Sequence, residues 1–311
     1  MKLRTSLIAT VLAGGLAMAT SALAGADSNY RATIDAWRVE ADAKLRSADG
    51  PLAAVGLYWL HPGSNQVGAY PSNEVVLAQD VAPAKAGTID VRNNKITFQA
   101  AHAVPVVQDG KEVQRIALQQ EGQGSNSHFN IGRLKLSVVG RDLGLAIRVS
   151  DPNSATLREF PGQQWFPVDE DWVVEGQFVP FATPKTLVYE AATGGTRKGV
   201  SPGYVTFERN GQRYKLDVQK SAKGYIAFFF DASTGKDSYA GGRVVPITQG
   251  EGDRVTLDFN QAYNMPCAVS AFYNCQIAPE QNHLTALLIP AGEKKPALKV
   301  QRVASAPGYI K

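Results

Sequence analysis

The chain is poor in the residues that staple, ligate or charge a protein. Among 311 residues there are two cysteines, three methionines and four histidines, and charged side chains make up 19%. Two cysteines allow one intramolecular bridge at most, which excludes the disulfide-dense scaffolds of small secreted domains. His61, His102, His128 and His283 lie far apart, with no two at metal-ligand spacing, so no metal site and no cofactor are expected. The sequence contains no Gly-x-Ser-x-Gly elbow, no His-Glu-x-x-His pair and no phosphate loop ending in Gly-Lys-Ser/Thr. The hydrolases, metalloproteases and nucleotide-binding enzymes built on those motifs are thereby excluded. Gly194-Gly195-Thr196-Arg197-Lys198-Gly199 lacks the phosphate-loop spacing and reads as a plain loop. No run of five or six like charges occurs, so nucleic-acid binding through a basic patch is not expected.

What is present points to a folded, turn-rich chain. Hydrophobic residues at 44% suffice for a buried core, while 29 glycines and 17 prolines rule out a long-helix or coiled-coil protein. The first segment reads as an export signal. Lys2 and Arg4 precede an apolar stretch from Leu7 to Ala19, and Ala22-Leu23-Ala24 supplies a small-residue cleavage site. That stretch is shorter than the roughly 20 residues of a membrane span, and nothing later approaches that length. Residues 1–24 are therefore expected to be a signal peptide cleaved after Ala24, giving a periplasmic or secreted product without an integral membrane segment. Cleavage would leave 30 basic against 28 acidic side chains, a charge of +2.

After the leader, Ile34, Trp37, Ala41 and Leu45 recur at helical spacing and Gly50-Pro51 closes the pattern, predicting one helix within 25–50. The period then falls to two. Strands are predicted at 75–77, 89–91, 95–98, 112–116, 133–138 and 145–149, with turns at Asn93-Asn94 and Asp109-Gly110. Segment 151–171 reads as a connection. Beyond it, Tyr204–Arg209, Asn210-Gly211 and Arg213–Val218 form a hairpin signal, because Asn-Gly accepts the positive φ of a two-residue turn. Further strands are predicted at 225–230, 243–247, 254–258, 284–289 and 298–303. The expected fold is mainly β: a β-sandwich over 51–150, then a second sandwich or partly open barrel over 151–311, with the helix laid across.

Three polar clusters carry the candidate chemistry. They are Asp151, Ser154 and Arg158 with Trp165–Asp169 and Trp172; Asp231–Gly235 with Tyr239 and Arg243; and Asp258-Phe259-Asn260 with Tyr263-Asn264, the cysteines and Asn282. Each has a structural explanation, since Asp and Asn cap turns and Arg pairs with buried carboxylates. If the clusters converge, Arg158, Arg243, Asn260, Asn264 and Asn282 could line a pocket for a small anionic or polar ligand. Asp169, Asp258, Tyr263 and Glu293 are the candidate acid–base groups. Cys267 and Cys275 are read first as a disulfide in an oxidising compartment, with metal ligation and free thiols as the alternatives.

These clusters resemble the bacterial and archaeal family of the domain of unknown function 1684. The resemblance rests on Trp37-Arg38; Gly56-Leu57-Tyr58-Trp59-Leu60 with Gly63, Asn65 and Gly68; Arg148, Asp151 and Ser154; Phe160-Pro161-Gly162; Trp165–Asp169 and Trp172; Asp231, Thr234-Gly235, Tyr239 and Gly242-Arg243; and above all Leu257–Cys267, continuing through Cys275, Asn282 and Glu293. It spans residues 30–295, and Met265 stands where a second proline is expected. It implies no established activity. The first half is also similar in layout to a forkhead-associated β-sandwich, through Leu60–Gly68 and the short hairpins that follow. That family reads phosphothreonine with an arginine after the leading glycine and a later Ser-x-x-His. Here Ala69 follows Gly68 and the Ser-x-x-His is missing, so phosphopeptide recognition is not implied. Two function classes follow: an exported binding or envelope-associated protein with a polar pocket in its second half, or an enzyme of unfamiliar, hydrolase-like type with an arginine clamp.

Overall fold

The computed structural model describes residues 15–298, except 94, 125–126, 142–143 and 192–194. Of the expected leader, residues 1–14 lie outside the described residues; from Gly15 the chain belongs to helix α1, Gly15–Leu45. Ile34 is fully buried, as its spacing predicts. Trp37 packs edge-on against Trp165 at 5.5 Å, and the Arg38 guanidinium lies 5.0 Å over the same ring. These contacts hold α1 against the second half of the chain.

The first half is a two-sheet sandwich. Its strands are β1 (Ala54–Trp59), β2 (Gly63–Gly68), β3 (Val75–Val76), β4 (Gly87–Arg92), β5 (Lys95–Ala100), β6 (Val106–Gln108), β7 (Lys111–Glu112), β8 (Arg115–Leu118), β9 (His128–Ile131), β10 (Leu134–Arg141) and β11 (Gly144–Ser150). One sheet runs β1-β11-β10-β9-β6-β7 and the other β3-β2-β4-β5-β8. Alternation decides what each face does. On β5, Ile96, Phe98 and Ala100 are buried, while Lys95, Thr97 and Gln99 point outward. Phe98 stacks on Phe129 of the opposite sheet at 4.2 Å, and each such fully buried ring stabilises the sandwich by about 1.5–3 kcal/mol. The single strand predicted at 112–116 is two strands. β7 pairs with β6 in one sheet and β8 with β5 in the other, because the chain crosses between sheets at Val113-Gln114. The predicted turn at Asp109-Gly110 has φ of 48° and 77°, the positive pair a tight hairpin needs.

A short helix α2 (Ala155–Glu159), capped by the Ser154 side chain, leads into the second half. Its strands are β12 (Val173–Glu190), β13 (Thr196–Arg209), β14 (Gln212–Ser221), β15 (Gly224–Asp231), β16 (Arg243–Gln249), β17 (Arg254–Asp258), β18 (Tyr263–Asn264) and β19 (His283–Leu284). β12 through β17 pair consecutively and antiparallel, and β17 returns to pair with β12. The expected second sandwich or partly open barrel is thus a closed six-stranded barrel, which leaves none of these six strands as a free edge. Val205, Leu216, Ala227, Phe229, Val245 and Leu257 fill it, and Phe259 packs edge-on against both Phe229 and Trp172.

Two sequence expectations change here. β12 is absent from the predicted strands because Pro180 and Pro184 interrupt its pattern; the register with β13 shifts between Pro180 and Lys185, the irregularity that lets a strand carry prolines. Of the strand predicted at 284–289, only Leu284 pairs, as the end of β19, and 299–303 lies outside the described residues.

Candidate functional site

The predicted site residues do not form one pocket. They separate into two closed polar centres and three single positions. The first centre is built on β16. Arg243, 1% exposed, places its Nη2 3.2 Å from Oδ1 of Asp231, 4% exposed, and donates to the Ile289 carbonyl at 3.0 Å and to the Ala291 carbonyl. Asp231 Oδ1 also accepts from Ser233 Oγ at 2.9 Å, and its Oδ2 accepts from the Ile289 N–H at 2.9 Å. The guanidinium lies 5.2 Å over the Phe229 ring and burial pulls its pKa down. This is a buried internal ion pair that ties β15 and β16 to the 289–293 segment.

Asn264, opposite Arg243 in the β16–β18 pairing, extends the centre to Glu293. The Asn264 N–H donates to Glu293 Oε2 at 2.7 Å, and Asn264 Nδ2 donates to the Lys294 carbonyl. Glu293 is 2% exposed, and burial pushes its carboxyl up to about 7 against the opposing pull of hydrogen bonds from Asn264 and Gln163. The preceding Gly292 has φ +79°, and a Cβ there would sit 2.5 Å from the Ala262 carbonyl, so only glycine brings Glu293 this close. Arg243 Nε, Asn264 Oδ1 and Gln163 Oε1 have no hydrogen-bond partner among the described residues.

The second centre docks α1. Tyr30 donates to Asp258 Oδ1 at 2.9 Å, and Asn260 Nδ2 reaches both the Tyr30 hydroxyl and the Asp169 carbonyl, at 3.0 and 2.8 Å. Burial, then the neighbouring Asp258 charge, raises the Tyr30 phenol. Asp258 also caps the turn at Phe259–Gln261 and Asp169 the turn at Glu170–Trp172. Both carboxylates and Asn260 therefore act as cappers and anchors. Tyr30, 228 residues from Asp258, is the partner that local sequence reading misses.

Tyr263, Asn282 and Arg158 stand apart. Tyr263 packs among apolar side chains including Met265, Phe228 and Ala278, and burial raises its phenol. Asn282 bridges strands, donating to the Asp217 and Phe228 carbonyls and accepting from the Asp217 N–H. Arg158 is exposed on α2 and donates to the Asn153 carbonyl.

The expected disulfide is corrected: Cys267 and Cys275 are free thiols. They are neighbours without being at bonding distance, because the Cys267 N–H donates to Cys275 Sγ at 3.1 Å and the two thiols hydrogen-bond to each other. That contact lowers the Cys267 thiol and raises the Cys275 thiol. Among the described residues no three His, Cys, Asp or Glu side chains could hold a metal ion.

An open site lies elsewhere, on the outer face of the first sandwich. A groove of about 460 Å³ is lined by Thr88, Asp90 and Arg92 of β4, the Asn93 turn, Lys95, Thr97 and Gln99 of β5, and Arg115 of β8. Register explains the lining. Thr88 pairs with Gln99, Asp90 with Thr97, Arg92 with Lys95, and Gln99 with Arg115, so these outward side chains form rows across three strands. Arg92 is held by Asp90 at 3.0 Å. Among the described residues, no carboxylate pairs with Lys95 or Arg115. In the sequence these positions look like the solvent half of an alternating strand, and nothing local marks them as a site.

A sandwich joined to a closed barrel, with an open polar face on the former and buried polar centres in the latter, is the class this architecture defines. The sequence model described as "Protein of unknown function (DUF1684)" matches residues 158–294, and the chain belongs to that family. The matched stretch covers the barrel and both closed centres except Tyr30; the motifs quoted at 37–38, 56–68 and 148–154 lie outside it. Among solved structures, the chain is similar to an uncharacterized protein of Haloarcula marismortui solved by solution NMR. The identity is 30%, the alignment covers 46% of this chain and 82% of that one, and the TM-score is 0.37. No curated protein matches.

Proposed function

We propose that the protein is an exported, non-catalytic binding protein whose ligand sits on the polar groove of β4, β5 and β8. The observation that carries this reading is the contrast in exposure. The groove offers hydrogen-bonding side chains to solvent, with Lys95 and Arg115 in no ion pair among the described residues, whereas Arg243 and Asn264, which the sequence nominated for a pocket, and Glu293, a candidate acid–base group, are all buried and engaged in internal hydrogen bonds. Asp258 and Asn260 are likewise engaged with Tyr30 and neighbouring backbone. Export rests on the basic, apolar and small-residue sections of residues 1–24. A ligand read by exposed polar groups needs no nucleophile–base pair, in keeping with the lack of any such motif. One test screens the mature protein against acidic, neutral and basic solutes, following melting temperature and the chemical fate of each solute together. A rise in melting temperature with the solute unchanged supports binding; turnover of any solute would end the non-catalytic reading.

A second reading, an enzyme of hydrolase-like type, is favoured by one observation: the Glu293 carboxyl, near 7, has the proton affinity of a general acid. Turnover in the same screen that disappears in Glu293→Gln would establish it.

A further inference from the structure

We infer that the groove takes a short acidic oligosaccharide, a polyhydroxylated chain carrying carboxylates; this rests on the binding reading above and names its ligand. The charge on the groove is uneven. Arg92, Lys95 and Arg115 face a single carboxylate, Asp90, which is taken up by Arg92. Glu74 lies beyond the next strand, where its Oε2 accepts from the Gln66 N–H at 2.6 Å, and it does not neutralise the β5–β8 side. Lys95 and Arg115 are set apart by four residues along β5 and one strand step, about 14 Å between Cα positions. Two cations at that separation select an extended anion with more than one charge over a single compact one.

The floor between them decides the rest of the ligand. Thr88, Thr97 and Gln99 present hydroxyls and an amide, and the Gln99 amide already donates to the Gln114 carbonyl at 3.0 Å, which turns its oxygen toward other donors. Among the described residues, no aromatic or aliphatic side chain lines the groove. Bases of a single-stranded nucleic acid would find no stacking platform, and side chains of an acidic peptide would find no apolar pocket to fill. A chain of sugar hydroxyls is the partner that a floor of hydroxyl and amide groups can satisfy throughout its length, with carboxylates at the cationic ends.

The test is calorimetric titration of the full-length protein with trigalacturonate at low ionic strength, with maltotriose and inorganic phosphate as controls. Trigalacturonate is expected to bind, and maltotriose and phosphate to bind at least about tenfold more weakly, since each lost charge-assisted hydrogen bond weakens binding by about that factor. Lys95→Ala/Arg115→Ala is expected to lose at least about tenfold in affinity, and Lys95→Gln/Arg115→Gln, which keeps side-chain length and polarity, is expected to lose as much. Raising the salt concentration should weaken wild-type binding. Equal affinity for maltotriose, or undiminished affinity in both double variants, would overturn the proposal. Phosphate binding as tightly as trigalacturonate would overturn the saccharide while leaving the groove a binding site. Failure of all three probes would also overturn it, and the broader solute screen then decides separately whether the protein binds anything at all.

Discussion

Removing the Asp231 carboxylate isolates the most deeply buried cation among the described residues. Arg243 is 1% exposed, and its nearest carboxylate oxygen is Asp231 Oδ1 at 3.2 Å. Asp231→Ala leaves the guanidinium with backbone carbonyls and the Ser233 hydroxyl, and no carboxylate in an ion pair with it. Breaking one side of a buried pair in this way costs about 3–5 kcal/mol. The same change strips the Ile289 and Ser233 N–H groups of their acceptor, and each unsatisfied buried donor adds about 1–3 kcal/mol where the structure cannot relax. The expected loss therefore lies at the upper end, about 5 kcal/mol, a large share of the roughly 5–15 kcal/mol typical of a whole domain. Urea unfolding followed by tryptophan fluorescence measures it, with Asp231→Asn as the milder variant that keeps one acceptor and folds if the alanine variant does not. Asp231→Leu/Arg243→Met, which removes both charges and keeps volume, is expected to regain more than half of the loss. A loss below about 1 kcal/mol for Asp231→Ala, or no coupling between the two sites, would refute the reasoning that this pair holds the barrel to the 289–293 segment.

Two further outcomes follow from the same geometry. Glu293 titrates near 7 in the folded protein against an ordinary 4.5, so between those values the folded state holds a proton the unfolded chain has released. Its contribution is a stability that falls as pH rises from about 4.5 to 7 and then levels off, on the order of 3 kcal/mol, and Glu293→Gln should flatten that slope in urea melts across the range. A slope unchanged in the variant would contradict the assignment. Mass spectrometry after alkylation without reductant should find both Cys267 and Cys275 modified once the chain is unfolded, and an unmodified, bridged pair would contradict the free-thiol geometry.

Local signals in the sequence carried most of the architecture. Asn210-Gly211 sets its hairpin at φ of 53° and 72°, and alternation sorted inward from outward residues on β5 and β13. What stayed hidden depends on distance or on exceptions. Closure of the barrel needs β17 to meet β12 some 80 residues earlier, and no local pattern encodes that meeting. The prolines of β12 masked a strand that tolerates them by shifting register. Arg243, Asn264 and Glu293 do come together, but all three are buried and hydrogen-bonded internally. Asp258 and Asn260 read as a site because the sequence does not reveal that Tyr30 occupies them. The groove went unread for the opposite reason: threonine, glutamine and arginine on the wet side of a strand are ordinary, and only register across β4, β5 and β8 makes them one surface. The cysteine spacing, which predicts a bridge, brings the two residues together but leaves their sulfurs short of bonding distance.

The central question is which face of the molecule meets its ligand. Hydrogen-exchange mass spectrometry of the protein with and without trigalacturonate tests that directly. Added protection confined to peptides covering 87–100 and 115–118, with the barrel strands unchanged, is the predicted result; protection arising instead around 231–243 and 260–293 would contradict it and return the site to the barrel.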